Sequence, residues 1–316
     1  MYHRVAEPGV DPWSLCVTPQ HFAEHLEVLQ RETAPISLQK MVQAYKEGNI
    51  PARAVAVTFD DGYADNLHSA KPLLEQYNVP ATVFVPSGYV GHGREFWWDE
   101  LERILLQPGP LPERLTLNIN GKTYQWELGD AGDDLQNQTH QYCGVNDDLL
   151  ANHIQRGSLY FSVHRLLQPL SDAQRNKVID DLLAWAGTKP VRRPTHRTLT
   201  LEELHALNQG ELIEVGSHTV THPFLSVLPE SVQQNEIWRS KSLLEESIGQ
   251  PVRSFAYPYG NYTKETVAIV REAGFDCACS TIVDSVWRGS DLFQLPRVTV
   301  ENWNGEEFAK RLSRIS

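Results

Sequence analysis

One short stretch constrains this chain more than any other. Ala54-Val55-Ala56-Val57-Thr58-Phe59 is a run of small and β-branched residues closed by an aromatic one. Such a run reads as a strand buried on both faces. It stops abruptly at Asp60, Asp61 and Gly62. Two adjacent carboxylates repel each other and are costly near a core unless a cation compensates them. A metal ion is the simplest such cation, so its other ligands should lie elsewhere in the chain.

The composition limits the partners. With 316 residues, 41% hydrophobic and 22% charged, the chain can bury a sizeable core, as one large domain or one domain carrying an insertion. Its net charge of −12 argues against a nucleic-acid partner, which needs a basic face. No apolar run approaches the roughly 18 residues of a membrane span. Met1-Tyr2-His3-Arg4 shows no signal peptide, so a cytoplasmic location is expected unless the start is trimmed. Cys16, Cys143, Cys277 and Cys279 are scattered and suggest no disulfide framework. Cys277 and Cys279, two apart in an apparent strand, read as buried structural thiols.

The secondary-structure signals divide the chain. Thr18 and Ser37 cap two helices, and Gly48 ends the second. Leu67, Leu73, Leu74 and Tyr77 predict a helix over roughly 64–77, interrupted or kinked near Pro72. Ala81-Thr82-Val83-Phe84-Val85 is the next buried strand. This alternation points to an α/β fold with parallel strands. Between about 92 and 194 the alternation is lost. A helix from about Glu95 to Leu106, a hairpin turning at Asn120-Gly121, and helices over 147–168 and 172–186 predict an inserted, mostly helical subdomain. The alternation resumes with a helix capped by Thr200. Strands at 212–216, 252–257, 275–280 and 294–300 follow, with helices at 230–248, 263–273 and 305–315.

The polar motifs fall where strands end. Asp60-Asp61 follows one strand, Ser217-His218-Thr219-Val220-Thr221-His222 a second, and Pro258-Tyr259-Gly260 a third. In parallel α/β folds those C-terminal ends share one face and build the site. On one turn of helix His218 and His222, four apart, would converge. One carboxylate completes a two-His, one-Asp ligand set suited to Zn²⁺, with Co²⁺, Ni²⁺ or Fe²⁺ as alternatives. Three protein ligands leave a position open for water, as catalysis requires.

Together with Met1-Tyr2-His3-Arg4-Val5 and Leu295-Pro296-Arg297-Val298, these three motifs resemble the polysaccharide deacetylases (NodB-type domain, carbohydrate esterase family 4), in a bacterial branch associated with exopolysaccharide genes. The resemblance covers about 1–91 and 195–316. It implies a distorted (β/α) barrel of about seven strands, interrupted by the subdomain at 92–194. It further implies that Asp61, His218 and His222 hold a divalent metal. Asp60 would be the general base toward water, and the backbone N–H of Tyr259 would hold the developing oxyanion. The implied activity is removal of N-acetyl groups from an N-acetylhexosamine-containing glycan. The same ligands would serve an O-acetyl esterase, a small-amide deacylase or a silent carbohydrate-binding protein.

Two departures stand out. Where many members carry an arginine that steadies the catalytic aspartate, this chain has Ala256; Arg297 could compensate, but a structural salt bridge is the preferred reading of Arg297. The family's late leucine-x-histidine, whose histidine is the general acid, does not occur after residue 260, and His3 is the candidate in its place. Trp97 and Trp98, with Tyr257, Pro258 and Arg297, are candidate substrate-binding residues, because sugar rings stack on aromatic faces. The remaining histidines, His25 and His164 among them, read as surface or structural.

Overall fold

The computed structural model describes residues 1–7, 9–128 and 155–314. Its contacts divide into two units, one of residues 1–93 with 194–316 and one of residues 94–193.

The first unit is built on a parallel sheet of five strands: β1 (Val57–Phe59), β2 (Ala81–Val85), β3 (Ile213–Ser217), β4 (Ser254–Ala256) and β5 (Cys277–Cys279). They pair in chain order, as expected when helical crossovers of one hand connect parallel strands. Both edges are then covered by chain that forms no long strand. Beyond β1, Tyr2 N–H donates to Thr58 O and Asp60 N–H to Tyr2 O. Beyond β5, Ala278 N–H donates to Leu292 O, Leu295 N–H to Ala278 O and Ser280 N–H to Leu295 O. The Met1 nitrogen donates to Val298 O, and Val300 N–H to Met1 O. Those bonds join the two flanking stretches, so five strands and two flanks curl into seven staves. The stretch 294–300, expected as a strand, supplies the last stave mainly through these isolated bonds.

The strands are short and buried on both faces. Val57, Phe59, Val83, Val85, Val215 and Phe255 belong to the core that also includes Phe22, Leu26, Ile237 and Val270 of the surrounding helices. Phe84, Ala256, Cys277, Cys279 and Leu295 form a second cluster with Leu38 and Val42. Cys277 and Cys279 are free thiols within it; Cys143 lies outside the described residues.

The expected helix at 64–77 is a π-helical turn, Asn66–Ala70, running into an α-helix, Lys71–Gln76. The irregularity thus precedes Pro72 rather than following it. Pro72 has no N–H to donate and sits within the first turn of the α-helix, where none is required.

The second unit contains helices Trp97–Leu106, Arg156–Leu167 and Asp172–Trp185 and the hairpin Arg114–Ile119/Lys122–Glu127. Asn120 and Gly121 both take positive φ, 51° and 78°, the conformation a two-residue hairpin turn requires. Buried Arg175 donates to Leu167 O and Gln168 O, capping the carbonyl end of the second helix. Arg193, the last residue of this unit, holds Glu95 by both oxygens and reaches Glu102. The 147–154 part of the predicted helix lies outside the described residues. No described helix is long and apolar enough to cross a membrane.

Candidate metal centre and active site

Asp60 and Asp61 follow β1 directly and diverge. Asp61 takes φ 74° and Gly62 φ 63°, so the chain turns sharply and the two carboxylates face different partners. Thr219, His222 and Tyr259 also take positive φ. Left-handed backbone costs a non-glycine residue about 1–2 kcal/mol, and such strain gathers where a site must be held in one geometry.

His218 extends β3, its N–H donating to Val85 O. His218 and His222 converge without a helix, contrary to the single-turn expectation. The chain between them loops through positive φ at Thr219 (68°) and again at His222 (52°), which brings the ring nitrogens together within four residues. Their Nε2 atoms lie 3.2 Å apart. Asp61 Oδ1 is 3.6 Å from His218 Nε2 and 3.2 Å from His222 Nε2. His218 Nδ1 is 2.8 Å from Ala256 O. A carbonyl can only accept, so Nδ1 carries the proton and Nε2 keeps its lone pair.

Three buried donor atoms of this kind gain little from facing one another and much from sharing a cation. Among the described residues Asp61, His218 and His222 are the one group of three metal-ligating side chains whose donor atoms converge. Bonds of roughly 2.0–2.1 Å to a tetrahedral ion would place ligand atoms about 3.3 Å apart, close to the separations found. The electrostatics agree. Burial pushes His218 down to about 4, against the opposing pull of Asp60 and Asp61, leaving it neutral as ligation needs. Burial also raises the Asp61 carboxyl, with His3 and His218 resisting. That is the penalty a bound cation would remove.

Asp60 has another partner. Arg297 donates to Oδ1 at 2.7 Å and Oδ2 at 2.8 Å, a bidentate pair with both side chains buried. The guanidinium is held in turn by Ser280 O and Thr58 Oγ1. Burial alone would raise Asp60. The charge of Arg297, that of His218 and the hydrogen bonds from Arg297 outweigh it and hold Asp60 well below the usual carboxylate range. The arginine absent at position 256 thus has a counterpart on the last stave. Ala256 instead lends its carbonyl to His218.

His3 is half-buried. Burial lowers its pKa, while the charges of Asp61 and Asp60 raise it, so the ring lies within electrostatic reach of both. Its segment is pinned by two residues that sequence reasoning passed over. Asn66 Nδ2 donates to His3 O, and Asp65 accepts from Val5 N–H and Arg4 Nε. The available signal was a polar Asp-Asn pair three residues after Gly62, at the point where a helix should start.

Tyr259 occupies the turn after β4, with φ 58°. Its ring meets that of His222 edge-on at 4.6 Å. Gly260, at φ 63°, must be glycine, since a Cβ would lie 1.9 Å from Thr281 Oγ1.

Three of the substrate-binding candidates are corrected. Tyr257 is fully buried and its hydroxyl donates to Phe293 O, so it is a core residue. Trp97 and Trp98 are buried in the 94–193 unit. Trp98 stacks on Phe96 at 4.3 Å, and Trp97 packs against His164 and beneath Arg175. Sugar stacking needs an open ring face, and these faces are taken. Pro258 is buried in the Tyr259 turn, and Arg297 is committed to Asp60.

The chain matches the family model described as polysaccharide deacetylase over residues 47–109 and 188–278. It is 30% identical over 287 residues to the poly-β-1,6-N-acetyl-D-glucosamine N-deacetylase of Staphylococcus epidermidis, covering 90% of this chain and 68% of that one. YxkH of Bacillus subtilis (strain 168) is 29% identical over 151 residues, 45% of this chain. That match spans about half the length of YxkH, 52%. Two solved structures share the fold at lower identity. The Streptococcus pyogenes deacetylase PplD, in complex with acetate, has TM-score 0.60 and 18% identity over 99% of this chain and 96% of that one. IcaB from Ammonifex degensii has TM-score 0.60 and 19% identity over 99% and 93%. On the family-model match and the long Staphylococcus epidermidis match together, the chain belongs to the polysaccharide deacetylase family.

Proposed function

We propose that this protein is a metal-dependent hydrolase that removes acetyl groups from the acetamido substituents of an N-acetylhexosamine-containing exopolysaccharide. The observation that carries this reading is the unequal treatment of two neighbouring carboxylates. Asp61 faces two imidazoles, and Asp60 is gripped apart from them by Arg297. A silent carbohydrate-binding protein has no use for an ionised carboxylate held beside the ligand set. The relative whose printed name specifies a poly-β-1,6-N-acetyl-D-glucosamine substrate supports the choice of glycan.

Asp61, His218 and His222 would hold the ion, Zn²⁺ first. When bound, it supplies polarisation of the acetamido oxygen and brings the pKa of water toward neutrality. The remaining work belongs to the chain. Asp60, kept ionised by Arg297, takes the proton of the attacking water. A base with so low a pKa accepts a proton only from an acidified donor. The Tyr259 backbone N–H is assigned to the oxyanion that develops on the former carbonyl. His3, within electrostatic reach of both carboxylates, is assigned to protonate the departing amine.

The test is acetate release from β-1,6-linked N-acetylglucosamine oligosaccharides and from chitooligosaccharides, with Zn²⁺ or Co²⁺ supplied and Asp60→Asn as control. Release by the wild type, lost in the control, is the expected result. No release from any N-acetylated glycan would sink the reading, and release from O-acetylated glycans alone would move the activity to an esterase.

A further inference from the structure

The loop that carries His218 and His222 is strained at Thr219 and His222, so something must hold it. The long helix Glu230–Ile248 does so from one face. Glu236 Oε2 accepts from Val220 N–H at 2.9 Å and Thr221 N–H at 2.8 Å, and its Oε1 accepts from Thr221 Oγ1 at 2.9 Å. One turn further on, Ser240 Oγ donates to Thr219 O at 2.7 Å and accepts from Ser217 Oγ at 2.9 Å. Glu236 and Ser240 are four apart and share a helix face. Between them they engage every residue from Ser217 to Thr221 except His218. Both are buried, Glu236 at 8% exposure and Ser240 at 0%.

We infer that Glu236 and Ser240 are positioning residues that set the metal affinity of the His218–His222 loop. A carboxylate accepting two adjacent backbone N–H groups fixes the direction of that peptide pair. This selects the left-handed turn over a relaxed one, in which the Nε2 atoms would drift apart. Ser240 fixes the same turn from its carbonyl side. The cost of the strained conformation is thereby met by folding, before any ion arrives. Groups behind a ligand set commonly change metal affinity 10–100-fold when removed. Neither residue touches the ion, the water or the substrate in this scheme, so their effect is read in affinity and ligand geometry.

This inference rests on the metal reading of the site, and the experiment separates the two. Co²⁺ affinity is measured by competition with a chromophoric chelator, together with the visible spectrum of bound Co²⁺, on the whole chain. Wild type is expected to bind one Co²⁺; if it binds none, the metal reading itself fails and this inference fails with it. Glu236→Ala is expected to weaken binding at least tenfold and shift the spectrum. Glu236→Gln keeps an acceptor oxygen and should stay within about threefold of wild type. Ser240→Ala, a milder change that keeps the helix, should weaken binding two- to fivefold. If wild type binds Co²⁺ and folded Glu236→Ala binds it with the same affinity and spectrum, the inference is overturned. Should Glu236→Ala fail to fold, Ser240→Ala decides: unchanged affinity and spectrum overturn the inference, and weakened binding upholds it.

Discussion

At the scale of single residues, the Asp60–Arg297 pair determines how the site behaves. A buried ion pair contributes little net stability, because desolvation of both charges offsets their attraction. Removing one partner is expensive, since it strands the other. Arg297→Met should therefore destabilise the protein by about 3–5 kcal/mol. Its effect on catalysis has a definite sign. With Arg297 gone, burial would raise the Asp60 pKa, so the acid limb of the kcat/KM profile should move to higher pH and activity at neutral pH should fall at least tenfold. Arg297→Lys supplies a point charge without the fork and should lie between. An acid limb that does not move in Arg297→Met would show that Asp60 is not the group titrating there. The linkage has the same direction. Asp60 is depressed in the folded state, so its stabilising effect is present above the ordinary carboxylate range and fades as pH falls through it.

At the scale of elements, backbone bonds couple the strand ends in addition to the side-chain pairs of the site. After β2, Ser87 N–H donates to Thr219 O and Gly88 N–H to Val220 O, so the loop bearing the two histidines is also bonded to the chain that follows β2. Gly88 does not need a positive φ. It needs room, because a Cβ there would lie 2.7 Å from Val220 O. Gly88→Ala should push the ligand loop outward, destabilise the protein by about 1–3 kcal/mol and reduce the rise in Tm expected of the wild type with saturating Zn²⁺. Thermal melts with and without Zn²⁺ measure both, and an unchanged Zn²⁺-induced rise would refute the coupling. The spacing of the two histidines was legible in the sequence, but their path was not. Four-residue spacing suits a helical turn, and nothing local announces a left-handed loop. Its support comes from Glu236 and Ser240, fourteen and eighteen residues beyond His222, on a helix whose pattern marks them only as polar.

At the scale of the molecule, one histidine ties the barrel flanks together. His25 Nε2 is 2.7 Å from Trp303 O, Nδ1 is 3.3 Å from the Tyr2 hydroxyl, and the ring stacks on Phe308 at 4.2 Å. The carbonyl can only accept, so Nε2 carries the proton and Nδ1 accepts from Tyr2: the neutral ring is fully paired. Burial lowers its pKa from 6.5 to about 4. A proton taken up on unfolding and refused in the fold makes the protein lose stability as pH falls from 6.5 toward 4, by about 3 kcal/mol at most. His25→Gln, though less stable at neutral pH, should show a shallower decline of Tm across that window, and parallel curves would refute the assignment. His164, pushed down to about 3 by burial and Arg175, acts in the same direction within the 94–193 unit.

The sequence by itself determined the α/β rhythm, the interruption after the second buried strand and the three polar strand ends. Each is a local pattern of hydrophobicity, capping and turn residues, readable within a window of a dozen positions. Asp60, Asp61, His218 and His222 were legible for the same reason, since a carboxylate pair ending a buried strand is conspicuous wherever it occurs. Only the tertiary structure decided which charge answers Asp60. Arg297 lies 237 positions away, and curling seven staves into one ring is what brings the last beside the first. It also decided that Trp97, Trp98 and Tyr257 are core, because local sequence marks a ring as apolar but not which of its faces are covered. Burial and long-range pairing arise when the sheet closes, and no stretch of chain carries them alone.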